Sequence, residues 1–280
     1  MKLIDLHVHT TASDGLYSPI QVVKEACKRN LAAVAITDHD TMKGLKEIKN
    51  GAVKCSVEIV PSIEFSAFYK KKEIHLLGYY CDPENSLLQE TLLQKHRERR
   101  LRMQKMIDRL KKMNVFVEFD EVLAKVKGGV VGRPHLAAVL CQKGYCNTSE
   151  EAFKLYIGHG CPAYVERKPF LPSEAIAVIQ KAGGFPVLAH PGLNNDDIYI
   201  SALIRAGLKG IEVYHPEHDE ATVNHYLNFA KEHGLVITGG SDFHGDDIGP
   251  SKNIGSVTLG YSSLEDIKSF IKDKMMELKI

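Results

Sequence analysis

Short apolar runs alternate with amphipathic stretches along most of this 280-residue chain. Residues 3–8 (LIDLHV), 32–37 (AAVAIT), 57–63 (VEIVPSI) and 74–80 (IHLLGYY) have the length and apolar content of buried strands. A helix is predicted over 18–28, with Ser18 suited to the N-cap and Pro19 to the first helical position. A second helix, capped by Thr41, is predicted to end near Asn50 and Gly51. The third and fourth strands are joined by a short loop around Lys70, Lys71 and Lys72, which predicts a hairpin.

Residues 87–113 break this rhythm. They read as one long, charged helix with a stripe formed by Leu88, Leu92, Leu101, Met103, Met106, Ile107 and Leu110. Shorter helices are predicted at 119–126, 134–142 and 149–156, with a strand at most over 163–165. Pro162, Pro169 and Pro172 mark the exit. Alternation then resumes, with helices at 173–182, 196–206, 219–233 and 263–277 and strands at 185–189, 210–214, 235–239 and 254–259. Such alternation implies parallel strands covered by helices, and the strand count favours a barrel over an open sheet.

The polar residues fall on this frame in a particular way. His9, His39, Glu64, His190, His215 and Asp242 each lie at or just beyond the C-terminal end of a predicted strand. In α/β barrels the loops at that end build the active site. His75 begins its strand instead, but an antiparallel hairpin would bring it beside Glu64. His7 and His9, two apart on a strand, face the same way. The apolar Leu3, Ile4, Leu6 and Val8 around them argue against a pair of surface histidines.

Imidazole and carboxylate are the donors that borderline and hard divalent cations take. Six histidines (His7, His9, His39, His75, His190, His244), Asp14, Asp242 and Glu64 exceed what one ion needs. They suffice for three sites that leave room for water and substrate oxygens. Asp38 and Asp40 flank His39, one suited to a helix N-cap and the other to orienting a ligand imidazole. No Ser-His-Asp arrangement is present, and Gly239-Gly240 lacks the Lys-Ser/Thr of a phosphate-cradling loop. The expected nucleophile is therefore water activated by metal.

Composition narrows the partners. The net charge of +1 gives no bulk attraction to duplex DNA or to a membrane surface. The first residues run straight into the His7 motif and leave no signal peptide, and no run approaches a membrane span. The six cysteines form no CxxC pair and read as reduced thiols of a cytoplasmic protein. The basic run His96-Arg97-Glu98-Arg99-Arg100 alternates with Glu90, Glu98 and Asp108, as a solvated helix face would.

The ligand-type residues sit in motifs that resemble the polymerase and histidinol phosphatase (PHP) family. DLHVHTTASDG (5–15), TDHD (37–40), Glu64, His75, LAHPG (188–192) and GSDFHG (240–245) match its motifs in order. The helical segment, with Val131-Gly132-Arg133-Pro134-His135, looks like the insertion of one branch of stand-alone phosphoesterases. That branch removes the 3′-phosphate from nucleoside 3′,5′-bisphosphates, and some members trim short RNA from the 5′ end. The resemblance implies an α/β fold, a distorted (β/α)7 barrel over 1–80 and 166–280, with a mainly helical insertion over 81–165 as a substrate-binding cap.

It also implies two to three divalent ions, among manganese, iron, zinc and magnesium. His7, His9, Glu64 and Asp242 would hold the first. Glu64, His75 and His190 would hold the second, and Asp14, His39 and His244 the third. Arg133 and His135 resemble the phosphate-binding pair of that branch. Arg167 or Lys168 comes where another basic contact is found, and His215 is a phosphate ligand or general acid. The implied substrate is a small nucleotide, extending to short RNA. Histidinol-phosphate hydrolysis is the nearest enzymatic alternative, and a non-catalytic nucleotide-binding module the alternative outside catalysis. Hydrolysis of a C–N bond would leave Asp14, His39 and His244 without a purpose.

Overall fold

The computed structural model describes residues 2–277, apart from 52–54, 71, 127–128, 195–196, 247–248 and 252. The chain forms two compact units, Met1–Glu90 with Phe170–Ile280, and Thr91–Pro169. The first holds an eight-stranded mixed sheet in the order β7-β6-β5-β4-β3-β2-β1-β8.

β1 (Leu3–Val8) lies between β2 (Ala33–Ile36), parallel to it, and the two-residue β8 (Leu259–Gly260), antiparallel. β3 (Glu58–Tyr69) continues the sheet parallel to β2. It then turns into β4 (Lys72–Tyr79), the expected antiparallel hairpin, in which Glu64 faces Leu77 and Ser66 faces His75. Lys71 lies outside the described residues. β5 (Phe185–Leu188) pairs antiparallel with β4, and β6 (Gly210–Tyr214) and β7 (Val236–Gly239) extend it in parallel. The sheet is nearly closed. Bridges join Val8 to Phe243 and Phe243 to Ser251, so the segment after β7 seals against the end of β1. This is the distorted α/β barrel that the sequence implied.

The helices follow from local signals. α1 (Pro19–Lys28) starts with a capping box: Ser18 Oγ accepts the Gln21 N–H at 3.2 Å, and Gln21 Oε1 accepts the Ser18 N–H at 2.8 Å. α2 (Lys43–Asn50) is capped one residue later than expected. Met42 holds the N-cap position, and Thr41 Oγ1 instead accepts the Lys43 N–H at 3.2 Å. The second unit carries α3 (Ser86–Lys111) from its second turn onward, then α4 (Phe119–Leu123), α5 (Arg133–Gln142), α6 (Ser149–Ala152) and a π-helical turn over Phe153–Ile157. Its core is built from Met103, Met106, Ile107, Leu110, Leu136 and Leu140. No strand forms at 163–165. α7 (Pro172–Lys181), α8 (Ile200–Arg205), α9 (Glu220–His233) and α10 (Ser262–Glu277) return to the barrel.

Three further expectations are corrected. Glu64 does not end its strand, because β3 runs on to Tyr69 to make the long hairpin. The strand expected at 254–259 shrinks to β8. Gly255 takes a φ of 75° and gives its N–H to Asp5 Oδ2 at 2.7 Å, which commits that stretch to a loop. Not all six cysteines are reduced: Cys27 on α1 and Cys55 are joined in a disulfide, their Cα atoms 6.2 Å apart. Cys81, Cys141, Cys146 and Cys161 are free thiols. No described helix is long and apolar enough to cross a membrane.

Candidate metal centre

β1 alternates Ile4, Leu6 and Val8 with Asp5, His7 and, just past its end, His9, and all six are buried. His7 Nε2 lies 3.3 Å from Asp242 Oδ1 and 3.4 Å from Glu64 Oε1. His9 Nε2 is 3.1 Å from Asp242 Oδ1 and 3.2 Å from Glu64 Oε2. Glu64 is the hub. Its Oε1 is 3.0 Å from His75 Nδ1 and 3.3 Å from His190 Nε2, and its Oε2 is 2.9 Å from His39 Nδ1. The diagonal position of His75 on the hairpin allows this contact, since Glu64 and Ser66 face the same side. Asp14 closes the remaining side, 3.6 Å from His9 Nδ1, 3.6 Å from His244 Nε2 and 3.8 Å from His39 Nε2.

The structure therefore gathers all nine expected ligand side chains in one place. Their grouping is interlocked: His9 and His39 each present one ring nitrogen toward Asp14 and the other toward Glu64. His215 joins at the edge, its Nε2 3.4 Å from Asp242 Oδ2. His215 Nδ1 accepts the Glu217 N–H at 3.2 Å, so Nε2 carries the hydrogen in the neutral ring. His190 and Asp242 hold left-handed backbone, with φ of 25° and 46°. Non-glycine residues keep such conformations where surrounding structure fixes them, often at functional sites.

A second layer of buried polar groups sets these side chains. Glu212, in the middle of β6, accepts His7 Nδ1–H on Oε1 at 2.9 Å and the His190 N–H on Oε2 at 2.8 Å. That leaves His7 Nε2 as the lone pair turned toward the centre. Asp38 accepts the Thr10 N–H and hydroxyl, each at 2.8 Å, and the Ser13 hydroxyl at 2.7 Å, fixing the loop that carries Asp14. It caps no helix. Asp40 Oδ1 accepts the Ser66 N–H at 3.2 Å and steadies β3. Asp5 accepts the Ser241 N–H and hydroxyl, tying β1 to the residue before Asp242. Gly240 is needed there, because a Cβ would sit 2.3 Å from the His7 backbone nitrogen. His218 Nε2 accepts the Gly192 N–H and its Nδ1–H goes to Val213 O, joining the loops after β5 and β6. Sequence reasoning missed Glu212, Asp5 and His218 as positioning groups.

The electrostatics show what this centre demands. Burial opposes charge on His9, but Asp242 and Glu64 outweigh it and raise the imidazole to about 10. His75 rises to about 10 against its burial, driven by Glu64 and Glu73. Burial would raise Glu64, yet His39, His75 and His7 hold it well below the usual carboxylate range. Asp242 behaves alike, through His7, His215 and His9. Burial first, then His9, drives His244 down to about 4. The carboxylates thus call for positive charge between them. Several of these buried atoms, though close to one another, make no well-aligned hydrogen bond: His9 Nδ1, Asp14 Oδ1, His39 Nδ1, Glu64 Oε2 and His190 Nδ1. Imidazole and carboxylate atoms clustered in this way fit divalent cations.

Of the expected substrate contacts, His215 lies in the first unit and Arg133, His135 and Lys168 in the second. The Arg133 guanidinium stands over the Phe153 and Tyr164 rings, at 5.1 and 5.7 Å. His135 Nδ1 accepts the Gly132 N–H at 3.0 Å at the start of α5. Lys168 Nζ pairs with Glu98 Oε1 at 2.8 Å.

Comparison with known proteins agrees with this geometry. A family model for the PHP domain matches residues 5–159. The chain is 32% identical to the 5′-3′ exoribonuclease Rnm of Escherichia coli, over 86% of this chain and 85% of that protein. It is 30% identical to a 3′,5′-nucleoside bisphosphate phosphatase of Chromobacterium violaceum, over 91% and 93%. A crystal structure from Bifidobacterium adolescentis, of a protein assigned as a metal-dependent phosphoesterase, superposes with a TM-score of 0.84 at 30% identity, covering 94% of both chains.

Proposed function

We propose that this chain, which belongs to the PHP domain family, removes the 3′-phosphate from nucleoside 3′,5′-bisphosphates and also acts on the 5′ ends of short RNA. At the coarser level it is a metal-dependent phosphoesterase. The observation that carries the reading is the buried ring of imidazoles around Glu64, Asp14 and Asp242, whose ligand-type atoms cluster closely, several of them without aligned hydrogen bonds.

Two to three divalent ions, when bound, supply an activated water and offset charge on the phosphoryl oxygens. The protein's own part is to hold and orient. His7, His9, Glu64 and Asp242 form the first ligand set, Glu64, His75 and His190 the second, and Asp14, His39 and His244 the third. Glu212 fixes the His7 ring. The Nε2–H of His215 faces the centre from the Asp242 side, where it binds a phosphoryl oxygen or, with the ring as imidazolium, protonates the departing 3′ oxygen and returns to the neutral form. Arg133, His135 and Lys168 hold the phosphate that is not cleaved, the guanidinium by its paired donors.

The test is a comparison of nucleoside 3′,5′-bisphosphate, 5′-phosphorylated short RNA and histidinol phosphate at equal enzyme and Mn²⁺. Phosphate release from the bisphosphate and shortening of the RNA are expected. Turnover of histidinol phosphate alone would overturn the substrate, and no turnover with metal bound would support a binding module.

A further inference from the structure

α3 carries Arg99, Arg102 and Arg109 at helical spacing, so they share one side of the helix. Two of them converge on one residue beyond α6. Arg102 Nε donates to Val165 O at 2.6 Å, and its guanidinium lies 5.5 Å from the centre of the Tyr164 ring. The Arg133 guanidinium, from α5, lies 5.7 Å from the same ring. Arg109 Nη1 donates to Tyr164 O, and the His159 ring is 5.2 Å from that of Tyr164. Tyr164 is thus ringed by three guanidinium groups and an imidazole, all within the second unit.

Cations gathered in this way ordinarily need anions. Arg102, Arg109 and Arg133 have no carboxylate partner among the described residues; their contacts are carbonyl oxygens and ring faces. Burial, then the like charges of Arg167, Arg133 and Arg99, push Arg102 down to about 10. Like-charge crowding of partly buried guanidinium groups is unfavourable by itself. An aromatic face softens it, and an anion with several oxygens would reverse it. The net charge of the whole chain is only +1, so this is local concentration and not a generally basic surface.

We infer that the Tyr164-centred cluster of Arg102, Arg109 and Arg133 is a binding site for the phosphodiester backbone of a single-stranded oligonucleotide. It rests on the nucleotide reading above and deepens it, adding Arg102, Arg109 and Tyr164 to the substrate contacts. Guanidinium groups spaced along α3 suit a chain of phosphates better than a mononucleotide, which needs only one such contact. Backbone phosphates recognised in this way carry no sequence preference.

The test uses metal-loaded, full-length protein and a 5′-fluorescein oligoribonucleotide with phosphorothioate linkages, read by fluorescence anisotropy across a salt series. Arg102→Gln and Arg109→Gln are each expected to weaken binding by about tenfold. Each should also reduce the slope of log Kd against log salt by roughly 0.7, the single-strand value per phosphate contact. Arg102→Lys should keep the slope while binding more weakly, because charge remains and the planar fork is lost. Arg109 is exposed, so Arg109→Gln carries the test if Arg102→Gln lowers the thermal midpoint. Unchanged affinity and salt slope in folded Arg109→Gln would overturn the assignment. Because binding is read without turnover, failure of the phosphatase assay and failure of this site give different results. Free phosphate, added as a competitor, distinguishes a general anion site from an oligonucleotide site: displacement by free phosphate at a concentration equal to the oligonucleotide would overturn it, whereas nucleoside bisphosphate, which shares Arg133, is expected to compete.

Discussion

His7 and Glu212 form a buried pair, Nδ1 to Oε1 at 2.9 Å, and the second oxygen of the same carboxylate takes the backbone N–H of His190. One side chain from β6 therefore sets both a β1 histidine and the loop after β5. The ring nitrogen of His7 left toward the centre is the one lying near Glu64 and Asp242.

Glu212→Gln keeps the shape of this group but replaces one acceptor oxygen by a donor, which clashes with either His7 Nδ1–H or the His190 N–H. Metal affinity is expected to fall by about 10–100-fold, as for other groups that orient a metal-bound imidazole. Competition with a fluorescent chelator, and metal-to-protein ratio after dialysis, measure it. A variant with full metal content and unchanged affinity would remove Glu212 from this role.

Chelation should destabilise the barrel as well as silence it. Glu64, His7 and His9 are all buried, and ions that bind only the folded arrangement stabilise it by mass action. At free metal about a hundred times Kd the contribution is about 2.7 kcal/mol. Differential scanning fluorimetry with and without EDTA should show a lower midpoint that added Mn²⁺ restores. An unchanged midpoint would mean that the folded apoprotein is held by other means.

On the first unit, away from the centre, Glu58 accepts the hydroxyls of Tyr80 and Tyr261 at 2.7 and 2.5 Å and pairs with Lys268 Nζ at 2.8 Å. Burial opposes charge on it, but these contacts outweigh burial and lower its pKa. A carboxyl depressed on folding contributes stability that is complete above its ordinary value of 4.5 and is lost as pH falls through the lower, folded value. Glu58→Gln should therefore cost about 1 kcal/mol at neutral pH and less below pH 4 or so. Urea denaturation at both pH values checks it; an equal cost at both would point to packing.

The parts of this molecule that were legible in the sequence were those written in local pattern. Ser18 and Gln21 announce the start of α1, and His9, His39 and His190 announce strand ends because each follows an apolar run. Glu212 was not legible as a positioning group, although a lone carboxylate in GIEVY is a signal: a charge inside a buried strand must have a partner. The partner lies more than two hundred residues away, and no periodicity reveals it. The end of the barrel was misread for a related reason. Residues 254–258 are apolar enough for a strand, but the Asp5 carboxylate claims the Gly255 N–H. The Cys27–Cys55 bond likewise depends on where α1 places Cys27, which spacing cannot give.

The bridge from Val8 through Phe243 to Ser251 has a consequence for how the protein is born. The first histidines leave the ribosome long before Asp242 and His244, and the barrel cannot close until they follow. Until then His7 and His9 form only an incomplete pair of donors on an unclosed sheet. Contacts of such long sequence separation form slowly, so the ligand set is complete only once the segment after β7 has been made and docked against β1.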